Sequence, residues 1–264
     1  MLYQPLDQQV YDPEKGGLRY EDVKFQAADG VELHGWYFKS TAQKEPKALL
    51  VFFHGNGENM STHFVTLTWL LEYGYDFFIF DYRGYGSSQG DPSPEGTVRD
   101  GIAAINYAGT RALKSETKYP LVVFAQSLGG AVALRSLIDM KKAPGNTVWP
   151  KLIVVDSSFL SYKAAARAVL AHSWITWILQ PFTYLVLSDE WAPGDAVKSL
   201  APTPLVVMHG DKDQLVDYSL GLDLFDKAGD PKEFWKVEGG KHIDSFWRHG
   251  DTYRMKLLNR LKEL

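Results

Sequence analysis

The chain has 264 residues, a net charge of −4, 45% apolar residues and no cysteine. These values predict one globular domain over residues 1–264 with a large core. They exclude disulfides, zinc–cysteine sites and a cysteine nucleophile, and they argue against nucleic acid as a partner. The stretch Met1 to Pro5 has neither a basic nor an apolar region, so it does not predict a signal peptide. The cytoplasm is the default expectation; a membrane-anchored or envelope location would require a leader ahead of this sequence.

Runs of apolar residues, many of them β-branched, alternate with helix-forming segments along the chain. The predicted strands cover residues 20–26, 31–38, 48–53, 76–80, 121–124, 152–155, 204–208 and 233–237. The predicted helices cover residues 61–73, 92–113, 131–140 and 246–264. A turn at Asp29 and Gly30 joins the first two strands as an antiparallel hairpin. The remaining alternation predicts an α/β fold with a mostly parallel eight-stranded sheet and helices on both faces.

Ser127 lies between a predicted strand and a predicted helix, in the stretch Ala125-Gln-Ser-Leu-Gly-Gly130. A serine flanked by small residues at this position is typical of a nucleophile elbow, a turn so sharp that larger neighbours would collide. Ala125 stands where the usual pattern has glycine, which is the smallest departure available. The alternative interpretation is an ordinary serine N-cap of the following helix.

Reactive residue types follow several of the other strands, and parallel strands end at the same edge of a sheet. A serine hydroxyl requires an adjacent base, and His242, after the last strand, suits that role. The acid that orients the histidine is predicted to be Asp213, in His-Gly-Asp-Lys-Asp. Asp211 and Asp156, which also follow strands, remain alternatives for the acid. The chain order serine, acid, histidine is the one expected of an α/β-hydrolase.

The stretch His54-Gly-Asn-Gly57 also follows a strand, and its glycines allow the backbone to approach a ligand closely. We expect the backbone N–H groups of Asn56 and Leu128 to form an oxyanion hole. The alternative is a glycine-rich turn without function. Asp81 and Arg83 could be a catalytic pair, but we interpret them as structural, with the arginine buried behind a loop and paired to a carboxylate. No metal or cofactor is expected.

The motifs together resemble those of a known family. The chain is similar to the α/β-hydrolase superfamily and, within it, to the serine-hydrolase branch of ABHD-type acyl hydrolases and their bacterial relatives. The resemblance extends from about residue 20 to the C-terminus. It implies an α/β-hydrolase fold, places the family acid at Asp213, and implies esters or thioesters, often of acyl chains, as substrates. Many members are membrane-anchored. The matching stretches begin at His54, Asp81, Ala125, Asp156, His209 and Gly240.

About fifty residues separate two predicted strands, and much of this segment is apolar and helical. We expect a helical cap insertion at about 157–200, over the strand ends. Trp174, Trp177 and Phe182 are predicted to line an acyl pocket; alternatively, they only attach the cap to the body. The apolar run is too short and too polar to span a membrane, but its face could contact a membrane surface.

The predicted activity is therefore hydrolysis of a small-molecule or lipid carboxylic ester, as in a lipase-like serine esterase, through an acyl-enzyme. An acyltransferase would use the same intermediate and remains an alternative. A non-catalytic binding protein on a hydrolase scaffold is less favoured, because all three triad residue types are present. A peptidase of this fold often carries a large additional domain, for which the chain has no room. Dehalogenases and epoxide hydrolases are excluded because they require aspartate at the position of Ser127.

Overall fold

A single eight-stranded sheet runs through the protein. The computed structural model describes residues 3–42, 45–115, 117–143, 145, 147–171, 180–248 and 250–264. The strands are β1 Glu21–Gln26, β2 Glu32–Phe38, β3 Leu49–Phe53, β4 Asp76–Phe80, β5 Leu121–Gln126, β6 Leu152–Asp156, β7 Leu205–Gly210 and β8 Lys232–Val237. Their order across the sheet is β1-β2-β4-β3-β5-β6-β7-β8. The pairs β1–β2 and β2–β4 are antiparallel, and the others are parallel. The predicted mostly parallel sheet with an edge hairpin is confirmed.

Helices cover both faces of this sheet. The longer ones are α1 Pro94–Lys114, α2 Leu128–Lys142, α3 Tyr162–Ala171, α4 Tyr218–Lys227 and α5 Gly250–Leu261. Four-residue helices occupy Met60–His63, Thr183–Val186 and Ser245–Arg248. The 3-10 segments are Pro13–Gly16, Phe64–Thr66, Thr68–Tyr73, Gln180–Phe182 and Gly194–Leu200. A short parallel ladder joins Gln4–Pro5 to Gly57–Glu58.

Alternate residues of the central strands pack in two separate cores. In β3, Val51 and Phe53 belong to the core that contains residues of α1, α2 and α4. Their neighbours Leu50 and Phe52 belong to the core that contains residues of α5. All four side chains are fully buried. A strand buried on both faces is a continuous apolar run, and this explains the composition of residues 49–53.

One predicted helix differs from the observed elements. The segment 61–73 forms one α-helical turn, Met60–His63, followed by two 3-10 segments. Residues 62–68 contain four β-branched side chains, which lose rotamer freedom in an α-helix. At the C-terminus, Ser245–Arg248 and Gly250–Leu261 are helical on either side of residue 249, which lies outside the described residues. The helix Tyr218–Lys227 was not predicted; Asp217 caps it by accepting a hydrogen bond from Ser219 N.

Arg83 is buried and paired to carboxylates, as predicted. It bridges Asp29, in the hairpin turn, and Asp100, on α1, at 2.9 and 2.8 Å. Asp81, two residues earlier, accepts a hydrogen bond from Met60 N at 2.7 Å. Arg83 therefore ties the hairpin turn to α1.

A close backbone approach joins the start of α2 to the end of β3. A β-carbon added at Gly129 would lie 2.4 Å from the carbonyl oxygens of Phe53 and His54. These oxygens belong to backbone and have no freedom to rotate away. Glycine at this position therefore brings the Ser127 turn against the loop that follows β3.

We predict that Gly129→Ala lowers the free energy of unfolding by about 1–3 kcal/mol, because the added methyl group overpacks the backbone. Urea unfolding measures the change. Gly16→Ala is the matched control, because no heavy atom lies within 4 Å of the added carbon; we expect it to be neutral to within about 0.5 kcal/mol. Equal stabilities of the two variants would contradict the close approach.

Candidate active site

Ser127 occupies a backbone conformation that few residues other than glycine adopt. Its φ is 54° and its ψ is −123°, between the last residue of β5 and the first residue of α2. Ser127 N donates to Asp156 O, and Ser158 Oγ donates to Ser127 O, both at 2.9 Å. A strained backbone persists only where its surroundings determine it, and these two bonds hold the turn from β6 and the residues after it.

Ser127 and His242 meet at the carboxyl ends of the strands. His242 Nε2 lies 3.0 Å from Ser127 Oγ, and His242 Nδ1 lies 2.8 Å from Asp213 Oδ2. A carboxylate accepts, so Nδ1 carries the hydrogen and Nε2 is left to accept from the serine hydroxyl. The structure thus brings Ser127, His242 and Asp213 together in a continuous hydrogen-bonded chain.

The Asp213 carboxylate is buried and surrounded by donors. Its Oδ1 accepts from the backbone N–H groups of Leu215 and Val216, both at 2.9 Å. His209 Nε2 lies 3.4 Å from Oδ2. Burial alone would raise the pKa of Asp213, but hydrogen bonds from His209 and His242 hold this pKa well below its ordinary value. The carboxylate therefore stays ionised and able to stabilise a protonated His242.

The two alternative acids have other roles. Asp211 accepts from Gly239 N at 2.7 Å and forms an ion pair with Lys236. Asp156 is fully buried and accepts from Ser245 Oγ and, at 3.1 Å, from Ser157 Oγ. Burial raises the pKa of Asp156. Neither carboxylate is hydrogen-bonded to His242.

The predicted oxyanion groups lie beside the serine. Leu128 begins α2 directly after Ser127, and a β-carbon added at Gly55 would lie 3.7 Å from Ser127 Cβ. Within the described residues, no backbone acceptor is hydrogen-bonded to the N–H of Asn56 or of Leu128. Both groups are thus available to a ligand. At the N-terminus of a helix, the N–H of Leu128 also favours negative charge.

Several residues around the site were not predicted from the sequence. Ser157 Oγ accepts from Ile243 N at 3.2 Å and so holds the chain next to His242. His209 donates to Val216 O at 2.9 Å and braces the Asp213 loop. The run Asp156-Ser157-Ser158 could have indicated this role, since hydroxyls at a strand end lie close to the loops that follow the neighbouring parallel strands. No local pattern indicated the role of His209, because its partners are reached only through the fold.

The cap prediction is only partly covered by the described residues. Trp174 and Trp177 lie outside the described residues, and for Phe182 only the backbone is described, in the segment Gln180–Phe182. The acyl pocket stays a prediction. Leu185 and Val186 are 81% and 78% exposed, so apolar side chains on this segment are available for the membrane-surface contact, which also stays a prediction. A cavity of about 840 Å³ along α1 and β1 contains none of the triad residues.

Neither a cluster of metal ligands nor a membrane-spanning helix is found among the described residues. Over the described ranges, no group of three or more His, Asp or Glu side chains could hold a metal ion. In the same part of the chain, no helix is both long enough and apolar enough to cross a bilayer.

His63 stacks on His54, the first residue of the loop His54–Gly57. Their ring centroids are 5.1 Å apart, and His63 Nε2 donates to Gly57 O at 3.1 Å. His54 in turn lies 3.3 Å from Asp81 Oδ1. Burial, helped by the neighbouring His54, lowers the pKa of His63 to about 3, although the bond to Gly57 opposes this shift. At neutral pH the His63 ring is uncharged.

We predict that His63 makes folding sensitive to acid. Unfolded histidine binds a proton below its ordinary pKa of about 6.5, whereas folded His63 does not until about pH 3. As the pH is lowered from about 6.5 to about 3, this group should therefore lower the unfolding free energy by up to about 1.4 kcal/mol per pH unit. In His63→Gln, the unfolding free energy should change less steeply with pH than in the wild type, by this amount. All other titrating groups are present in both proteins, so their contributions cancel in the comparison. Superimposable slopes would contradict the burial argument.

Comparison with protein families gives a match over more than half of the chain. The family Hydrolase_4, described as "Serine aminopeptidase, S33", matches residues 44–186. The Escherichia coli K12 protein named "Uncharacterized protein YfhR" is 32% identical over 98% of this chain and 85% of its own length. Protein bem46 of Schizosaccharomyces pombe is 26% identical over 96% of this chain and 80% of its own length. WAV2 of Arabidopsis thaliana, an α/β hydrolase domain-containing protein, is 28% identical over 91% of this chain and 78% of its own length.

Solved structures show the same fold. The Pyrococcus furiosus esterase Pf2001 superposes with a TM-score of 0.75 at 21% identity, covering 100% of this chain and 97% of its own. The esterase EaEST from Exiguobacterium antarcticum has a TM-score of 0.65 at 16% identity, covering 92% and 100%. These similarities agree with the observed fold and with the family match. The chain belongs to the Hydrolase_4 (serine aminopeptidase, S33) family of α/β hydrolases.

Proposed function

We propose that this α/β hydrolase cleaves carboxylic esters through an acyl-enzyme formed on Ser127. The observation that carries the proposal is the hydrogen-bonded chain from Ser127 Oγ through His242 to Asp213, with links of 3.0 and 2.8 Å. A serine hydroxyl is a weak nucleophile, and a base within hydrogen-bonding distance is what activates it. The proposed assignments are nucleophile for Ser127, general base and acid for His242, and orienting carboxylate for Asp213.

In the acylation step, Ser127 Oγ attacks the ester carbonyl carbon while His242 Nε2 takes the hydroxyl proton. Asp213 stabilises the resulting imidazolium without taking its proton. The tetrahedral intermediate collapses as His242 gives the proton to the leaving alcohol. In deacylation, water loses a proton to His242 and attacks the acyl carbon; as the second tetrahedral intermediate collapses, His242 returns the proton to Ser127 Oγ and the carboxylic acid is released. These reaction steps require no metal or cofactor.

The negative oxygen of each tetrahedral intermediate would accept from the N–H groups of Asn56 and Leu128. Leu128 follows Ser127 directly, the loop that carries Asn56 approaches Ser127 at Gly55, and neither N–H is hydrogen-bonded to a backbone acceptor within the described residues. Each such donor is typically worth about 3–4 kcal/mol of transition-state stabilisation. This supports acyl transfer over chemistry that develops no oxyanion.

An ester, rather than an amide, is the favoured substrate class. The solved structures of similar fold include proteins named as esterases, from Pyrococcus furiosus and Exiguobacterium antarcticum. Apolar side chains on the cap segment, such as Leu185, support a small-molecule or lipid ester, and thioesters would react by the same route.

Two alternatives share the acyl-enzyme. The first alternative is an aminopeptidase, as the description of the matching family indicates. Comparing the hydrolysis of aminoacyl p-nitroanilides with that of the corresponding p-nitrophenyl esters distinguishes an aminopeptidase from an esterase. An acyltransferase would pass the acyl group to an added alcohol or amine, and the ratio of transfer to hydrolysis measures this. A non-catalytic binding protein would show no turnover.

We predict that the protein hydrolyses p-nitrophenyl esters in a series from acetyl to palmitoyl, and that Ser127→Ala lowers kcat by about 10³-fold or more, because the nucleophile is removed. Ser136→Ala is the matched control, because it removes a buried hydroxyl that donates to Val98 O on α1 and takes no part in the site. Activity retained in Ser127→Ala would contradict the acyl-enzyme. Absence of both turnover and fluorophosphonate labelling in the wild type would favour the binding protein.

We also predict that Trp177→Ala shifts the preferred acyl chain length, because removal of an indole from the pocket wall leaves space for a longer chain. The ratio of kcat/KM for p-nitrophenyl butyrate and decanoate measures this shift. Trp191→Ala is the control, since that ring packs against Arg135. A change in stability without a change in the ratio would mean that Trp177 only attaches the cap.

A further inference from the structure

Each of the four carbonyl groups in the loop His54–Gly57 accepts a hydrogen bond from a side chain. These bonds are Tyr82 OH to His54 O at 3.0 Å, His54 Nδ1 to Gly55 O at 2.7 Å, Tyr85 OH to Asn56 O at 2.9 Å and His63 Nε2 to Gly57 O at 3.1 Å. A loop of four residues rarely has every carbonyl bonded to a side chain, since side-chain hydrogen bonds are a minority of all hydrogen bonds. We call these four donors the carbonyl clamp.

The carbonyl clamp determines which way the loop N–H groups point. In a planar trans peptide the C=O and the N–H point in opposite directions. The peptide that carries the N–H of Asn56 has Gly55 O as its carbonyl, and His54 holds this oxygen. The next peptide has Asn56 O as its carbonyl, and Tyr85 holds that one. With both peptides held, the N–H of Asn56 cannot rotate away without breaking a buried hydrogen bond.

The Tyr85 hydroxyl contacts two oxygens of Asn56, one in the backbone and one in the side chain. It lies 2.9 Å from Asn56 O and 3.0 Å from Asn56 Oδ1. Gln4 N also donates to Asn56 Oδ1, at 3.1 Å. Tyr85 is fully buried, and this burial raises the pKa of the phenol, which therefore keeps its proton. Tyr85 comes from the loop after β4, so a separate part of the chain controls the oxyanion loop.

We propose that Tyr85 and His63 are positioning residues for the oxyanion hole: they hold the loop carbonyls so that the N–H of Asn56 faces the oxyanion formed at Ser127. This inference rests on the proposed ester hydrolysis. Neither side chain touches the substrate; both act through the backbone of residues 56 and 57. The interaction is made with the transition state, so its loss should lower kcat and leave KM largely unchanged.

The test compares Tyr85→Phe with Tyr253→Phe. Each variant loses one hydroxyl that donates to a backbone carbonyl. The Tyr253 hydroxyl donates to Lys236 O on β8. With p-nitrophenyl butyrate, we expect Tyr85→Phe to lower kcat by about 10- to 100-fold with KM within about twofold, because a small displacement of a donor is costly. A trifluoromethyl ketone, whose adduct on serine carries an oxyanion, should bind more weakly by a similar factor. Tyr253→Phe should keep both values within about twofold of the wild type.

A kcat of Tyr85→Phe equal to that of Tyr253→Phe would overturn the inference for Tyr85, while the wild-type turnover would leave the proposed function intact. A wild type without turnover or fluorophosphonate labelling would instead overturn the proposed function.

His63 gives a second and independent test, which decides the matter if Tyr85→Phe does not fold. His63→Leu removes the donor to Gly57 O, and His63→Gln supplies an amide N–H in its place. We expect His63→Leu to lower kcat by about tenfold and His63→Gln to restore most of it, with KM unchanged in both. Equal kcat values in the two variants would show that His63 only fills space.

Discussion

The left-handed turn at Ser127 is the constraint on which the rest of the site depends. A φ of 54° is unfavourable for serine, so the turn must be held from outside. The hydrogen bonds from Ser127 N to Asp156 O and from Ser158 Oγ to Ser127 O hold it from the side of β6. The absence of a side chain at Gly129 lets α2 approach the backbone of β3. This close approach brings the loop after β3 next to Ser127.

Around this turn, several buried polar side chains hold the backbone in place through hydrogen bonds and do not react themselves. His209 braces the loop that carries Asp213, and Ser157 bonds the backbone next to His242. The carbonyl clamp does the same for the loop that carries Asn56. Ser157, Tyr82 and Tyr85 each reach from the end of one strand to the backbone at the end of another. Parallel strands that end at one edge make this mutual support available, and buried polar groups without such partners would destabilise the fold.

The sequence was informative where the signal was local. Strand alternation and the small residues around Ser127 predicted the sheet and the turn, because sterics act over a few residues. Asp213 was the predicted acid, but Asp211 and Asp156 stayed open as alternatives, because all three follow strands and only the fold determines which one reaches His242. Segment 61–73 was expected to be one helix, but its β-branched residues favour 3-10 turns. The roles of Tyr85 and His63 depend on contacts across 29 and 6 residues of chain, for which no local pattern exists.

The measurement that tests the central claim most directly is rapid-quench trapping of the acyl-enzyme. The protein is mixed with excess p-nitrophenyl butyrate, quenched in acid during the first turnover and digested for peptide mass spectrometry. The account predicts a butyryl group on Ser127, absent from Ser127→Ala, together with a burst of p-nitrophenol wherever deacylation is slower than acylation. Release of p-nitrophenol at the full wild-type rate by Ser127→Ala, or a stoichiometric adduct on another residue, would contradict it.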